Sequence, residues 1–234
     1  MLDFSHFDWL SFDCYGTLID WESGLLAYLR PLFRVKGCDI SDVQMLSWYS
    51  EFEPREQAGH YRSYRDVLAA VVRDFAQELR VQVSDPEASG LAESIRNWQP
   101  FADTVPGLQG LHSRYKLAVL SNIDDDLFAY TAPKLGVELD GVVTAQQVHS
   151  YKPSLNNFEA LLRHYAIPRE RLLHVAESLY HDVAPAHALG IRTVWVNRRR
   201  GKGAAASKLA EAKPDLVVAT VGKLAELAAP EKSS

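Results

Sequence analysis

The stretch WLSFDCYGTL, residues 9–18, decides how the rest of the chain is read. Its first four residues make an apolar run the length of a buried strand, and Asp13 stands where the run ends. Gly16 permits a tight loop immediately afterwards, so a carboxylate is presented at the tip of a strand. Further short apolar runs at 117–120, 142–144, 172–175, 193–196 and 216–218 read as strands, with helical patterns at about 124–135, 154–165, 181–189 and 221–228 between most of them. Strand and helix in alternation predict an α/β fold, a parallel sheet covered on both faces. Ligands of such sheets bind beyond the carboxyl ends of the strands. Three more polar segments fall at those ends: LSN at 120–122, YKP at 151–153 and ESLYHD at 177–182.

Residues 22–98 break the alternation. Apolar positions recur there at helical spacing (Leu25, Leu29, Leu32 and Phe33; Val43, Leu46 and Tyr49; Val67, Leu68, Val71, Val72 and Phe75), enough for about four amphipathic helices. The expected organisation is a hydrolase-like core made of residues 1–21 and 99–234, with 22–98 inserted as a helical cap and 103–107 returning the chain to the core. The chain of 234 residues is long enough for this, and a composition that is 47% hydrophobic and 24% charged is that of an ordinary soluble protein. A formal net charge of −5 gives no general attraction to nucleic acid or to anionic lipid, which leaves a small molecule as the expected partner. Two cysteines, Cys14 and Cys38, are too few for a disulfide framework, and no run approaches transmembrane length or the form of a signal peptide. A cytoplasmic location is expected.

Each polar residue at a strand end has a chemical reading and a local one. Asp13 could be a nucleophile, a metal ligand or a turn cap. Ser121 and Asn122 could donate to a carboxylate or phosphate, or cap the following helix. Lys152, fixed by Pro153, could hold a carboxylate ionised, or lie solvated as most lysines do. Glu177 and Asp182 could position water or bind metal, or stand as helix-start acids favoured by the dipole. Four such segments in order favour one shared site for covalent hydrolysis. The basic segment 198–207, RRRGKGAAAS, reads as a solvated loop. The eight histidines show no metal spacing, and of the five tryptophans Trp9, Trp21 and Trp48 lie near site elements.

Asp13, Ser121, Lys152 and Asp182, with a helical insertion after the first, resemble the four motifs of the haloacid dehalogenase superfamily. Most members are magnesium-dependent phosphatases with an aspartate two residues after the nucleophile. Here Tyr15 holds that place, as in the L-2-haloacid dehalogenase branch, and a phenol is a poor proton donor to a phosphate ester at neutral pH. The resemblance implies a Rossmann-like core with a helical cap and a small 2-substituted carboxylate as substrate. It also implies that Asp13 attacks the α-carbon to form an ester that water then hydrolyses. Lys152 would steady Asp13, Tyr15 would wall the pocket, Ser121 and Asn122 would bind the substrate carboxylate, and Asp182 would position the water. No cofactor is implied; magnesium enters only under the phosphatase alternative. A homodimer is a common assembly among similar proteins.

There are departures from the branch. Glu177 and Leu179 replace its serine and asparagine, and the cap stretch LSWYSEFE, 46–53, lacks its halide-binding arginine. Arg30, Arg34, Arg55, Arg62 and Arg65 are the substitutes available. The runs FDCYGTLIDWE, LSNID, SYKP and AESLYHD also resemble the L-azetidine-2-carboxylate hydrolases, which open a strained ring at its α-carbon. The leading expectation is a 2-haloacid dehalogenase, followed closely by azetidine-2-carboxylate hydrolysis. A magnesium phosphatase and a catalytically silent binding protein are the remaining readings.

Overall fold

In the computed structural model, residues 2–198 and 212–229 are described, and the six apolar runs form one parallel sheet. Its strands are β1 (Trp9–Phe12), β2 (Lys116–Ser121), β3 (Gly141–Thr144), β4 (Leu172–Ala176), β5 (Arg192–Val196) and β6 (Leu216–Val218), in the order β3-β2-β1-β4-β5-β6. The chain winds outward from β1 in one direction to β3, then starts again on the other side of β1 at β4. Connections leaving β1 and β4 therefore diverge, opening a crevice at the carboxyl end of β1, beside Asp13.

Side chains of successive strand residues point to opposite faces. Leu10 and Phe12 enter one apolar core, and Trp9 enters the other. Helices α7 (Ala145–Val148), α8 (Leu155–His164) and α9 (Ala184–Ala188) close the Trp9 face with Val148, Phe158, Leu161 and Ala186. On the Phe12 face lie α5 (Thr104–His112) and α10 (Val221–Ala228), contributing Leu108, Leu111, Val221 and Leu224. Sequence periodicity did not reveal α5, because TVPGLQGLH reads as a turn. Pro106 is tolerated there in the first turn. Gly107 is needed for contact, since a Cβ would lie 3.0 Å from Val221 and 3.1 Å from the α10 backbone.

Between β1 and α5 the chain forms the helical cap: α1 (Trp21–Arg34), α2 (Asp42–Gln57), α3 (Tyr64–Glu78) and α4 (Asp85–Ser94). Each begins at a side-chain cap, Asp20, Ser41, Ser63 and Ser84, the last in a reciprocal capping box with Glu87. Their apolar stripes meet around Phe33, Phe75 and Phe52, with Phe33 stacked on Phe75 at 5.8 Å and Phe52 edge-on to Phe75 at 5.4 Å. The same apolar cluster continues through Leu18, Ile19 and Trp98 into the sheet core. No helix among the described residues is long and apolar enough to cross a membrane.

Asp124, in the loop after β2, joins core to cap by a polar contact. Its carboxylate accepts the backbone N–H groups of Tyr64 and Arg65, both at 2.9 Å, at the start of α3. Helix α6 (Asp125–Thr131), which follows Asp124, consequently begins without a bond from that side chain. Tyr151 adds a bond to the Arg62 carbonyl at 2.8 Å.

Replacing Asp124 by Ala should strand two helix-start donors, that of Tyr64 buried and that of Arg65 half-buried, and lower unfolding stability by about 1–3 kcal/mol, with faster amide exchange at the start of α3. Denaturant titration and hydrogen exchange check this; unchanged exchange at residues 64–66 would show that Asp124 does not tie the cap down.

Candidate active site

Asp13 leaves β1 with its own N–H donated to the Val175 carbonyl of β4 at 3.1 Å, which aligns the strand tip with its neighbour. Gly16 at φ +98 then reverses the chain, and Thr17 returns its hydroxyl to Asp13 Oδ2 at 2.7 Å. The Thr17 hydroxyl also accepts the Glu177 N–H at 2.9 Å, tying the loops after β1 and β4 together. Behind this loop lies Arg198. Its guanidinium donates to the Thr17 carbonyl at 2.6 and 2.9 Å and to Asp103 at 2.8 Å, and sits over the Phe101 ring at 3.8 Å. The expectation of a solvated Arg198 was therefore wrong, because a carbonyl, an acid and a ring together offset its desolvation. The rest of that basic segment lies outside the described residues.

Lys152 is 2% exposed, and its ammonium is placed between two carboxylates. It donates to Asp13 Oδ1 at 2.9 Å, to Asp182 Oδ1 at 2.6 Å and to the Leu120 carbonyl at 2.9 Å, using all three protons. Asn122 holds the Lys152 backbone from both sides, accepting its N–H at 2.7 Å and donating to its carbonyl at 3.0 Å. The Asn122 amide thus positions Lys152, and the residue also lines the cavity beside Ser121. Ser121, at the end of β2, lines the cavity.

Asp13, Ser121, Lys152, Glu177 and Asp182 line one cavity of about 100 Å³, room for a substrate of a few heavy atoms. The cap supplies Trp21, Tyr49, Glu53 and Tyr64 to its wall, and Trp98 completes it. Of the tryptophans near site elements, Trp21 does line the cavity, whereas Trp9 packs on Tyr165 and Trp48 on Phe75. Tyr15 contributes its ring, edge-on to Trp98 at 5.7 Å, while its hydroxyl is bonded to Thr131 at 2.9 Å. Burial pushes that phenol well above its ordinary pKa, which suits a wall better than a proton donor. His181 also lines the cavity, with its ring nitrogen 3.3 Å from the Ser178 hydroxyl.

The electrostatics follow from burying several acids around one lysine. Burial raises the Asp13 carboxyl, Lys152 pulls it down and the charge on Asp182 pushes it up again, leaving it above its ordinary value. For Asp182 burial is outweighed by the Lys152 charge and the His174 hydrogen bond, and its pKa falls to about 2. Lys152 is raised despite its burial, by Asp13 and Asp182. Glu177 reaches about 7 through burial and the charges of Asp13 and Asp182, with Arg198 opposing. Glu53, which sequence reasoning passed over, also reaches about 7 through burial, against hydrogen bonds from Tyr64 at 3.1 Å and Gln57 at 2.7 Å.

None of the arginines available as halide acceptors lines this cavity. Arg30 is paired with Asp42, Arg55 with Asp74, Arg62 with Glu56 and Arg65 with Asp126 and Glu93, while Arg34 is exposed. Among the described residues lining it, Lys152 is the only lysine or arginine. Among the described residues no three His, Cys, Asp or Glu groups stand together as metal ligands, and the Lys152 ammonium already bridges Asp13 and Asp182.

The model of the haloacid dehalogenase-like hydrolase family matches residues 7–190. The (S)-2-haloacid dehalogenase H-109 of Pseudomonas putida is 25% identical over 196 residues, covering 80% of this chain and 84% of that protein. Among solved structures, the L-2-haloacid dehalogenase PA0810 superposes with a TM-score of 0.79 at 23% identity, over 94% of this chain and 98% of its own. The L-2-haloacid dehalogenase of Xanthobacter autotrophicus, with chloropropionic acid covalently bound, gives 0.79 at 19% identity, over 97% and 100% of the two chains. At these identities the two structures establish a shared fold.

Glu53 and Glu177 also make folding stability depend on pH. Their folded pKa values, about 7, exceed the unfolded value near 4.5. Their contribution is complete below about pH 4.5 and is lost as pH rises through about 7, because unfolding then releases protons that the folded site retains. The denaturation midpoint of the double variant Glu53→Gln, Glu177→Gln should therefore decline less between these pH values than that of the parent chain. Parallel curves would show that neither carboxyl is raised.

Proposed function

We propose that this chain, which belongs to the haloacid dehalogenase-like hydrolase family, hydrolyses a small carboxylate substituted at its α-carbon through an ester on Asp13, and that the group displaced from that carbon is an amine. The substrate class this describes is a strained cyclic imino acid of the azetidine-2-carboxylate kind. The observation that carries the amine assignment is the charge of the cavity: Glu53 and Glu177 face into it, and among the described residues no guanidinium does. A departing halide is an anion, so it gains from donors and is repelled by carboxylates. A protonated ring nitrogen departs as a neutral amine and needs no cation to receive it.

In this reading the substrate carboxylate lies at Ser121, with the α-carbon in front of Asp13. The Asp13 oxygen forms a bond to that carbon as the carbon–nitrogen bond breaks, and the electron pair passes to nitrogen. Ring strain favours the opening, and the amine stays attached through the rest of the former ring. Glu53 and Glu177 recognise the cationic ring and keep its nitrogen protonated until departure, so their effect falls largely on binding. Water then adds to the ester carbonyl of Asp13. The Lys152 ammonium stabilises the developing oxyanion, and Asp182, ionised and with Oδ2 unpartnered, takes up the proton of the water. Aromatic walls from Tyr15, Trp21, Tyr49 and Trp98 exclude bulk water.

A second reading, release of halide from a 2-haloacid, is favoured by the 25% identity to the P. putida (S)-2-haloacid dehalogenase. Following amine formation from L-azetidine-2-carboxylate and chloride release from 2-chloropropionate in parallel separates the two. The expected outcome is ring opening by the parent chain. Glu177→Ser and Glu53→Gln should each raise KM for the azetidine by about 10-fold or more, the scale of a lost charged hydrogen bond, and leave or improve any chloride release. Efficient chloride release, indifference to the azetidine and loss of chloride release in Glu177→Ser would favour the halide reading.

A further inference from the structure

Beneath the cavity, in the middle of β4, His174 is completely buried. Its Nε2 lies 3.0 Å from Asp182 Oδ1, and its Nδ1 lies 2.8 Å from the hydroxyl of Ser11, which is its register partner on β1 and stands two residues before Asp13. The edge of the His174 ring packs against Phe158 at 4.9 Å and 79°. Nothing in the ester chemistry described above uses this histidine, yet it spans the strand of the nucleophile and the acid beside it.

Asp182 is ionised and can only accept, so Nε2 carries a proton, and Nδ1 on the other side of the ring meets the Ser11 hydroxyl, which can donate or accept there. Asp182 Oδ1 thus receives two donors, Nε2–H of His174 and the Lys152 ammonium at 2.6 Å. Its other oxygen, Oδ2, is buried and has no hydrogen-bond partner. A carboxylate rotates freely about its Cβ–Cγ bond unless something holds it. With Lys152 alone, which is shared with Asp13, either oxygen could turn toward the ammonium. The second donor fixes which oxygen faces Lys152 and His174 and which is left without a partner.

We propose that His174 is a positioning residue for the hydrolytic half of the reaction: with Ser11 behind it, it locks Asp182 so that Oδ2 is held ready to accept a proton from water. This rests on the reading that turnover passes through an ester on Asp13. Because the hydrogen bonds of His174 go to Asp182 and Ser11 and not to Asp13 or Lys152, it supports the ionised form of Asp182 and leaves the pairing of Lys152 with Asp13 intact. Formation of the ester, which needs Asp13 and Lys152, should then be insensitive to His174, and its hydrolysis should be sensitive. Asp182 also faces Asp13, Lys152 and Glu177, so any change in its titration is read against those unchanged neighbours.

The test compares His174→Leu, His174→Gln and Ser11→Ala by rapid quench and intact-protein mass, with L-azetidine-2-carboxylate and 2-chloropropionate as probes. In His174→Leu the ester should form at the parental rate and its hydrolysis should slow by about 10- to 100-fold, the range for a hydrogen bond to a charged group. The ester should therefore accumulate on Asp13, and the acid limb of the hydrolysis rate should move to higher pH. Gln can donate to Asp182 and accept from Ser11, so His174→Gln should recover much of the hydrolysis rate. Ser11→Ala, which keeps the imidazole, guards against a folding failure of the leucine variant and should show a smaller slowing in the same step. Ester that forms and hydrolyses at parental rates in both His174→Leu and Ser11→Ala overturns the proposal. Equal losses in both steps, with no rescue by Gln, would reduce His174 to a packing residue and overturn it too. Turnover without any ester on Asp13, even in rapid quench, would instead remove the covalent reading and this inference with it.

Discussion

The Lys152 ammonium, buried between Asp13 and Asp182, is the interaction on which the rest of the site depends. Two carboxylates cannot both remain ionised in a buried site without a counter-charge, and breaking such a cluster by removing its cation costs about 3–5 kcal/mol. Lys152 comes from beyond β3, and its three hydrogen bonds tie it to Asp13 at the end of β1, Leu120 of β2 and Asp182 beyond β4, strands that neighbour one another in the sheet. Asn122 secures the lysine backbone, Thr17 secures Asp13, and Arg198 secures Thr17 from outside. The fold and the reactive cluster are therefore two descriptions of one constraint.

A second layer sets what the cluster can act on. The sheet supplies the ionised groups, and the cap supplies aromatic rings and Glu53. Asp124 links the two by bonding the start of α3, the helix that carries Tyr64 to the cavity and, through it, a hydrogen bond to Glu53. The shape of the cavity thus depends on how the cap is held as well as on the strand ends. Under the proposed function, a cavity of about 100 Å³ walled by indole and phenol rings takes a compact substrate, and its acids favour a cationic one.

Strand-end chemistry was legible in the sequence because each segment follows a short apolar run and contains turn-forming residues; Asp13, Ser121, Lys152, Glu177 and Asp182 do converge on one cavity. The residues that were missed lie in regular structure, where a local pattern cannot show what a side chain meets. His174 reads as one member of a strand, Glu53 as a surface acid on an amphipathic helix, and Asp124 as a helix cap for its own segment. Helix α5 was hidden by Pro106, Gly107 and Gly110, two of which are explained by its first turn and by its close contact with α10. Arg198 was misread because the carbonyl and acid that bury it come from Thr17 and Asp103, far away in sequence.

The central claim is that Asp13 becomes covalently attached to the substrate carbon. Its most direct test is a single turnover, with protein in excess over L-azetidine-2-carboxylate or 2-chloropropionate, in water enriched in heavy oxygen. The product of this first turnover should carry no label, because its new hydroxyl oxygen comes from Asp13, and the label should appear in the Asp13 carboxylate. Label in the first product, with none in Asp13, would mean that water attacks the carbon directly and would contradict the account.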